Sequence, residues 1–302
     1  MVLLLLLALS GTGVAADTPI VTFKSGVSNV PLDVLVLNGT DIVKDLTQQD
    51  FVVYDENQQQ PILYFNFGTE PLSLLLLLDV SGSMQQYIAE MGLVARAALW
   101  HLQKGDRVGV MVFAHNRRAR LEFTDNLDKV VDDLKDAVHD DSVGSTTEIN
   151  NALLDAAKFV KASQSARRSV LILTDNLGLN FKSPDEPVIR SFDDANIVLN
   201  AMVVGRAARP ELTPGHYLNP DYTPPDVFTI AETTGGEAVK ATNTGQVFRE
   251  MIARIRTRYS MQFKKPEGAS GYRRLRVELS PSARLRYPKA VILARKGYWA
   301  ER

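Results

Sequence analysis

No cysteine occurs anywhere in the 302 residues. Disulfides, thiol catalysis, thiolate metal sites and lipid attachment through a cysteine are thereby excluded together. The chain must be held by packing and polar pairing alone. Long apolar runs are also missing. The two leucine-rich runs, residues 2–9 and 74–78, are each too short to cross a bilayer as a helix, so no integral membrane span is expected. Neither sign of charge is in excess, with 34 Lys and Arg against 35 Asp and Glu, and nothing global points to nucleic acid. Internal repeats, low-complexity segments and Gly-rich phosphate loops are lacking. Histidine is scarce, with four in the chain, and none stands in a triad-like setting.

What is present supports a sizeable core, since hydrophobic residues make up 45% of the chain. Charge is spread unevenly. From residue 249 to the end, fifteen Lys and Arg face four Asp and Glu. Such a basic stretch fits solvated strand faces, or attraction to an anionic surface or to the acidic front of the molecule. Residues 1–16 read as a secretory signal: an apolar run, then Val14-x-Ala16 ahead of a cut at Asp17, although no Lys or Arg precedes the run. Export, to the periplasm or beyond, is the expectation.

Three further regions separate. Residues 17–70 show period-two alternation in Val21-x-Phe23, Leu32-x-Val34-x-Val36 and Leu63-x-Phe65-x-Phe67, with an Asn38-Gly39 turn signal, and predict half-buried strands. Residues 71–258 alternate continuous apolar runs (74–80, 108–113, 121–124, 169–175, 197–204, 237–240) with amphipathic stretches (85–102, 127–138, 148–162, 187–195, 227–233, 245–258). That pattern predicts a doubly wound α/β domain, a mostly parallel sheet with helices on both faces, and the short link 114–120 predicts one antiparallel edge strand. Residues 259–302 return to period two, with turns at Pro266-Glu267-Gly268 and Ser280-Pro281. The two flanking β segments are expected to pair into one β-sandwich, with the α/β domain inserted between them.

The stretch Leu74-Leu-Leu-Leu-Leu-Asp79-Val80-Ser81-Gly82-Ser83-Met84 carries the most chemistry. A buried strand ends in an acid, and hydroxyls follow at every second residue. In an extended loop such side chains can turn toward one point, and Gly82 is expected to let the backbone bend between them. Ser83 has a second reading as the cap of the following helix. All the donors are hard oxygens, which favours Mg²⁺, Mn²⁺ or Ca²⁺ over zinc. Two more segments belong at the same sheet edge: Ser169-Val-Leu-Ile-Leu-Thr-Asp175, and the loop Gly144-Ser145-Thr146-Thr147.

Together these phrases resemble the metal-ion-dependent adhesion site of von Willebrand factor A domains. The resemblance implies Asp79, Ser81, Ser83, one threonine and Asp175 around one metal, directly or through water. Helix phase favours Thr147, and the distance from Gly144 favours Thr146; Thr147 is taken as the ligand. Such domains often carry Gly after the final acid, where this chain has Asn176. Leu46-Thr47-x-x-Asp50-Phe51-x-Val53-Tyr54, Pro71-Leu72-x-Leu74 and Arg295-Lys296-Gly297-Tyr298 resemble an exported, acidobacterial-type family called VWFA-related.

The resemblance implies a metal-dependent adhesion or binding module whose cation accepts a carboxylate from a protein partner. An accessory subunit of a larger assembly, ATPase-coupled or in the envelope, and a structural β-rich protein with a vacant site are the alternatives. Enzymes fit poorly. A dehalogenase-type phosphatase needs a second acid where Ser81 stands, and Ser83 lies in Ser-Gly-Ser-Met rather than Gly-x-Ser-x-Gly. The long segment 206–226, with His216, Tyr217 and Tyr222, leaves a strand at the same edge and is a candidate recognition loop.

Overall fold

The structure, a computed structural model, describes residues 29–140, 142–144, 146–163, 165–206, 209–210, 219 and 221–300. The signal expected over 1–16, the strand expected at Val21 and Phe23, and His216 and Tyr217 lie outside the described residues. The chain opens with β1 (Asn29–Asn38), β2 (Asp41–Ile42), β3 (Phe51–Asp55), β4 (Gln58–Gln60) and β5 (Tyr64–Phe67). The α/β layer follows as β6 (Leu72–Asp79), α1 (Gln85–Leu99), β7 (Arg107–Phe113), β8 (Arg117–Thr124), α2 (Leu127–Asp136) and α3 (Ile149–Lys161). It continues through β9 (Arg167–Thr174), β10 (Asn180–Phe181), α4 (Asp185–Asp194), β11 (Ile197–Val203), β12 (Tyr222–Thr223), α5 (Val227–Thr234), β13 (Ala238–Lys240) and α6 (Thr244–Arg256). The chain then returns with β14 (Tyr259–Lys264), β15 (Gly271–Leu279), α7 (Pro281–Arg286), β16 (Ala290–Leu293) and β17 (Gly297–Ala300).

A run of five leucines in a strand is wholly buried only where the sheet is covered on both faces. Residues 72–79 are such a strand, every one of them buried. They sit inside a six-stranded sheet of order β13-β11-β9-β6-β7-β8. All neighbours run parallel except β8, which folds back antiparallel on β7 at the edge. Successive residues of β6 divide between two cores. Leu74, Leu76 and Leu78 pack with Ile88, Met91, Phe248 and Ile252 of α1 and α6. Leu75 and Leu77 pack with Leu153, Phe192 and Ile230 of α3, α4 and α5. The expected doubly wound α/β layer is therefore present.

The flanking segments interleave. β1 pairs with β14 and β3 with β15, both antiparallel, so Val34 lies opposite Tyr259 and Val53 opposite Val277. One sheet runs β16-β1-β14-β5 and the other β17-β15-β3-β4. They share a core that includes Val36, Phe51, Val53, Tyr259 and Phe263. The buried Tyr259 hydroxyl donates to Val43 O at 2.9 Å and accepts from Leu46 N–H at 3.2 Å. Ser280-Pro281, expected as a turn, instead opens α7: the Ser280 side chain accepts from Ala283 N–H, and proline occupies the first turn, where no amide donor is needed.

Three of the fifteen basic residues from 249 onward, Arg256, Arg258 and Arg295, are internal, whereas Arg274 and Arg276 lie on the exposed face of β15 as a solvated strand face would have them. Arg256 Nε lies 2.6 Å from Asp106 Oδ2, and Arg295 pairs with Asp193. Asp33 on β1 receives Arg167 at Oδ2 and Arg258 at Oδ1, each at 3.1 Å. All four arginines are buried. Burial lowers the Arg256, Arg258 and Arg295 pKa values, Arg295 to about 10. The cluster joins the sandwich to the amino end of the parallel strands, so its three carboxy-terminal charges are neither on solvated strand faces nor free for a surface.

Candidate functional site

β7 departs from β6 on one side and β9 lies on the other. Strand order thus reverses at β6, and the crevice beyond the carboxyl ends of β6 and β9 is where such sheets bind. Asp79 closes β6, and Asp175 follows Thr174 at the end of β9. Both acids are buried, at 0% and 7% exposure.

Each carboxylate is fixed by its neighbours. Asp79 Oδ1 accepts the Ser81 amide at 3.1 Å, and Oδ2 accepts the Thr174 hydroxyl at 2.8 Å. Asp175 Oδ1 accepts the Leu177 amide at 3.1 Å, and Oδ2 accepts the Ser83 hydroxyl at 2.8 Å. Ser83 therefore joins the two loops rather than capping a helix; the residue preceding α1 is Met84, which makes no side-chain cap. Burial, with the Asp175 charge adding to it, pushes the Asp79 carboxyl up to about 6 against the hydrogen bonds from Ser81 and Thr174. Among the described residues, no ion pair reaches either acid.

Gly82 departs from expectation. It lacks a positive φ, and an added Cβ would meet nothing within 4 Å, so the bend does not demand glycine. Asn176 takes the demanding position instead, with φ of 54°. Asparagine is among the few residues that tolerate the left-handed region, so it replaces the glycine. It also does what glycine cannot: its amide group donates to Pro225 O at 3.2 Å and accepts from Val227 N–H at 3.4 Å, tying the Asp175 turn to the start of α5.

The threonine loop reaches the same rim. Glu148 N–H donates to Ala114 O and Asn116 N–H to Val143 O, which pins the segment to the β7–β8 hairpin. Below it, Asp140 pairs with Arg118 and Arg120 and accepts from Ser142. Burial opposes ionisation of Asp140, but these donors outweigh it and hold the carboxyl well below the usual range. Thr146 Oγ1 stands 3.2 Å from His115 Nδ1 and is turned toward the hairpin. Thr147 lies against the Asp175 loop through its backbone: a Cβ on Gly178, whose φ is 137°, would lie 2.7 Å from Thr147 O and 3.3 Å from its Cβ. Glycine at 178 is what allows that approach.

The donor set at this rim is oxygen only. Among the described residues, no group of three or more His, Cys, Asp or Glu that could hold a metal ion is present; beside the two acids this rim offers the hydroxyls of Ser83 and Thr174. That composition suits a hard divalent cation. Of the segment 206–226, the described residues 221–226 arrive at the same edge, where β12 pairs with β10 and Tyr222 packs on Phe181. The sequence pointed to Tyr222, but gave no sign that residues 177–181 are its partner.

Residues 74–178 match the family model of the von Willebrand factor type A domain. No curated protein matches the chain. Among solved structures, an aerotolerance-related membrane protein from Bacteroides fragilis is similar at 16% identity, over 61% of this chain and 98% of that one, with a TM-score of 0.46. The conserved hypothetical protein BatB from Bacteroides thetaiotaomicron is similar at 17% identity over the same shares, with a TM-score of 0.42. A von Willebrand factor type A protein from Catenulispora acidiphila is similar at 13% identity, over 92% of this chain and 75% of that one, with a TM-score of 0.47.

Proposed function

We propose, from the premise that residues 74–178 form a von Willebrand factor type A domain and so a protein-interaction module, that this module binds its partner through a divalent cation. Asp79, Ser81, Ser83, Thr147 and Asp175 hold the cation, Mg²⁺ or else Mn²⁺ or Ca²⁺. The observation that carries this reading is the pair of buried acids on adjacent strands, with no ion pair to either among the described residues. Two buried like charges are unfavourable unless a proton or a cation neutralises them, and near neutral pH, above the raised Asp79 value of about 6, a cation is the partner that fits. A bound cation supplies that charge and accepts one further carboxylate, from an acidic side chain of a protein partner.

The chain's own residues prepare the place. Thr174 and the Ser81 amide orient Asp79, while Ser83 and the Leu177 amide orient Asp175. Asn176 holds the turn between the acid and α5. No nucleophile or general acid is needed, and no reaction is assigned. The apolar run at 2–9 supports the reading of an exported setting; no described helix is long and apolar enough to cross a membrane.

Mn²⁺ binding, followed by electron paramagnetic resonance on the full chain, tests the reading. One site per chain is expected for the parent and none for Asp79→Asn. Equal binding by both proteins overturns it.

A further inference from the structure

The loop that follows Asp175 is built inside out. Its polar residue is buried, Asn180 at 2% exposure, with Oδ1 accepting from Asn150 N–H at 3.1 Å. Alternation along an extended chain then turns Leu179 and Phe181 outward. Leu177, Leu179 and Phe181 are 54%, 57% and 45% exposed. Tyr222, also exposed, crosses from β12 to pack on Phe181 with ring centroids 5.1 Å apart. Single exposed apolar residues are ordinary, but a contiguous run next to a candidate site marks an interaction surface. This run starts at the site itself, because the Leu177 amide is a donor to Asp175. Lys182 closes its far end, with Nζ 5.1 Å from the Phe181 ring centre.

We propose that Leu177, Leu179, Phe181 and Tyr222 form an apolar shelf that selects a protein segment whose acidic residue is flanked by apolar side chains. The inference rests on the cation reading above. A segment that brings its acid to the rim between Asp79 and Asp175 must lay its neighbouring residues on the rim, and on the β9 side that rim is apolar. The shelf is thus the specificity half of a site whose charged half is shared by any acid.

Two peptides capped at both ends test this, Gly-Gly-Glu-Gly-Gly and Gly-Leu-Glu-Phe-Gly, titrated by NMR into the full chain with saturating Mn²⁺. The parent should favour the second by about tenfold, the effect of partly burying one or two apolar side chains. Leu179→Asn and Phe181→Asn should each erode the preference while Mn²⁺ affinity stays unchanged. Should Phe181→Asn melt early through loss of its Tyr222 contact, Leu179→Asn carries the test. Equal affinity of the parent for both peptides, with Mn²⁺ bound, overturns the shelf and leaves the cation reading standing. A preference that survives both variants overturns it too. Absence of Mn²⁺ binding overturns both readings.

Discussion

Thr174 on β9 donates its hydroxyl to Asp79 Oδ2 on β6 across 2.8 Å, linking residues 95 apart in sequence. With Oδ1 taken by the Ser81 amide, the carboxylate is held in one orientation, yet its charge stays uncompensated. Its pKa, pushed up to about 6 by burial, gives a sign for stability. For an acid raised on folding, the stabilising contribution is complete below the ordinary value and is lost as pH rises through the folded one. In chelator the parent should therefore lose roughly 3 kcal/mol relative to Asp79→Asn as pH rises from about 4 to about 7. Urea midpoints of the two proteins across that range check it. Parallel curves would show that the acid carries no burial penalty. At neutral pH, Mn²⁺ should raise the parent's melting temperature and leave the variant's unchanged.

The two threonines should separate cleanly. Thr147→Val is expected to weaken Mn²⁺ binding by about tenfold or more, the effect of losing one donor to a charged centre. Thr146→Val, whose hydroxyl is turned to His115, should leave binding within about twofold. Isothermal titration with each variant decides. The reverse order would move the ligand one residue along the loop.

Asn176 offers a test of how one side chain replaces a glycine. Asn176→Gly keeps the left-handed backbone but loses the bonds to Pro225 and Val227, so it should cost about 1–2 kcal/mol. Asn176→Ala loses the same bonds and strains the backbone as well, and should cost about 1 kcal/mol more. Chemical denaturation orders the three proteins. A glycine variant as stable as the parent would mean that the link to α5 is not felt.

That residue also marks where sequence reading stops. The strand–helix alternation was legible because continuous apolar runs and 3.6-residue periodicity are local, and each parallel strand from β6 to β11 shows its own. Asp79 and Asp175 stood out as acids ending buried strands. The left-handed turn at Asn176 did not, because asparagine adopts many conformations and its partners lie 49 and 51 residues onward. Ser280-Pro281 reads equally as a turn or as the start of a helix, and only the packing of Ala283 decides. The arginines were hardest. A basic residue defaults to solvent, and nothing near Arg258 announces that Asp33, 225 positions earlier, meets it across the pairing of β1 with β14.

Asp33 is accordingly the place to test how the two parts of the molecule depend on each other. Its two oxygens serve two guanidiniums, Arg167 from the start of β9 and Arg258 from just before β14. Each arginine also donates to backbone carbonyls, Arg167 to Ile255 and Arg256, Arg258 to Leu293. Asp33→Asn leaves both cations buried and facing one another without their shared anion. Breaking a buried pair in this way costs about 3–5 kcal/mol, so the denaturation midpoint should fall sharply. Mn²⁺ affinity should not change, because Arg167 begins β9 whereas the acids lie beyond its far end. A titration of the folded variant, run below its melting transition, separates the two effects. Loss of Mn²⁺ binding in Asp33→Asn as complete as in Asp79→Asn would show instead that the junction and the rim act as one unit.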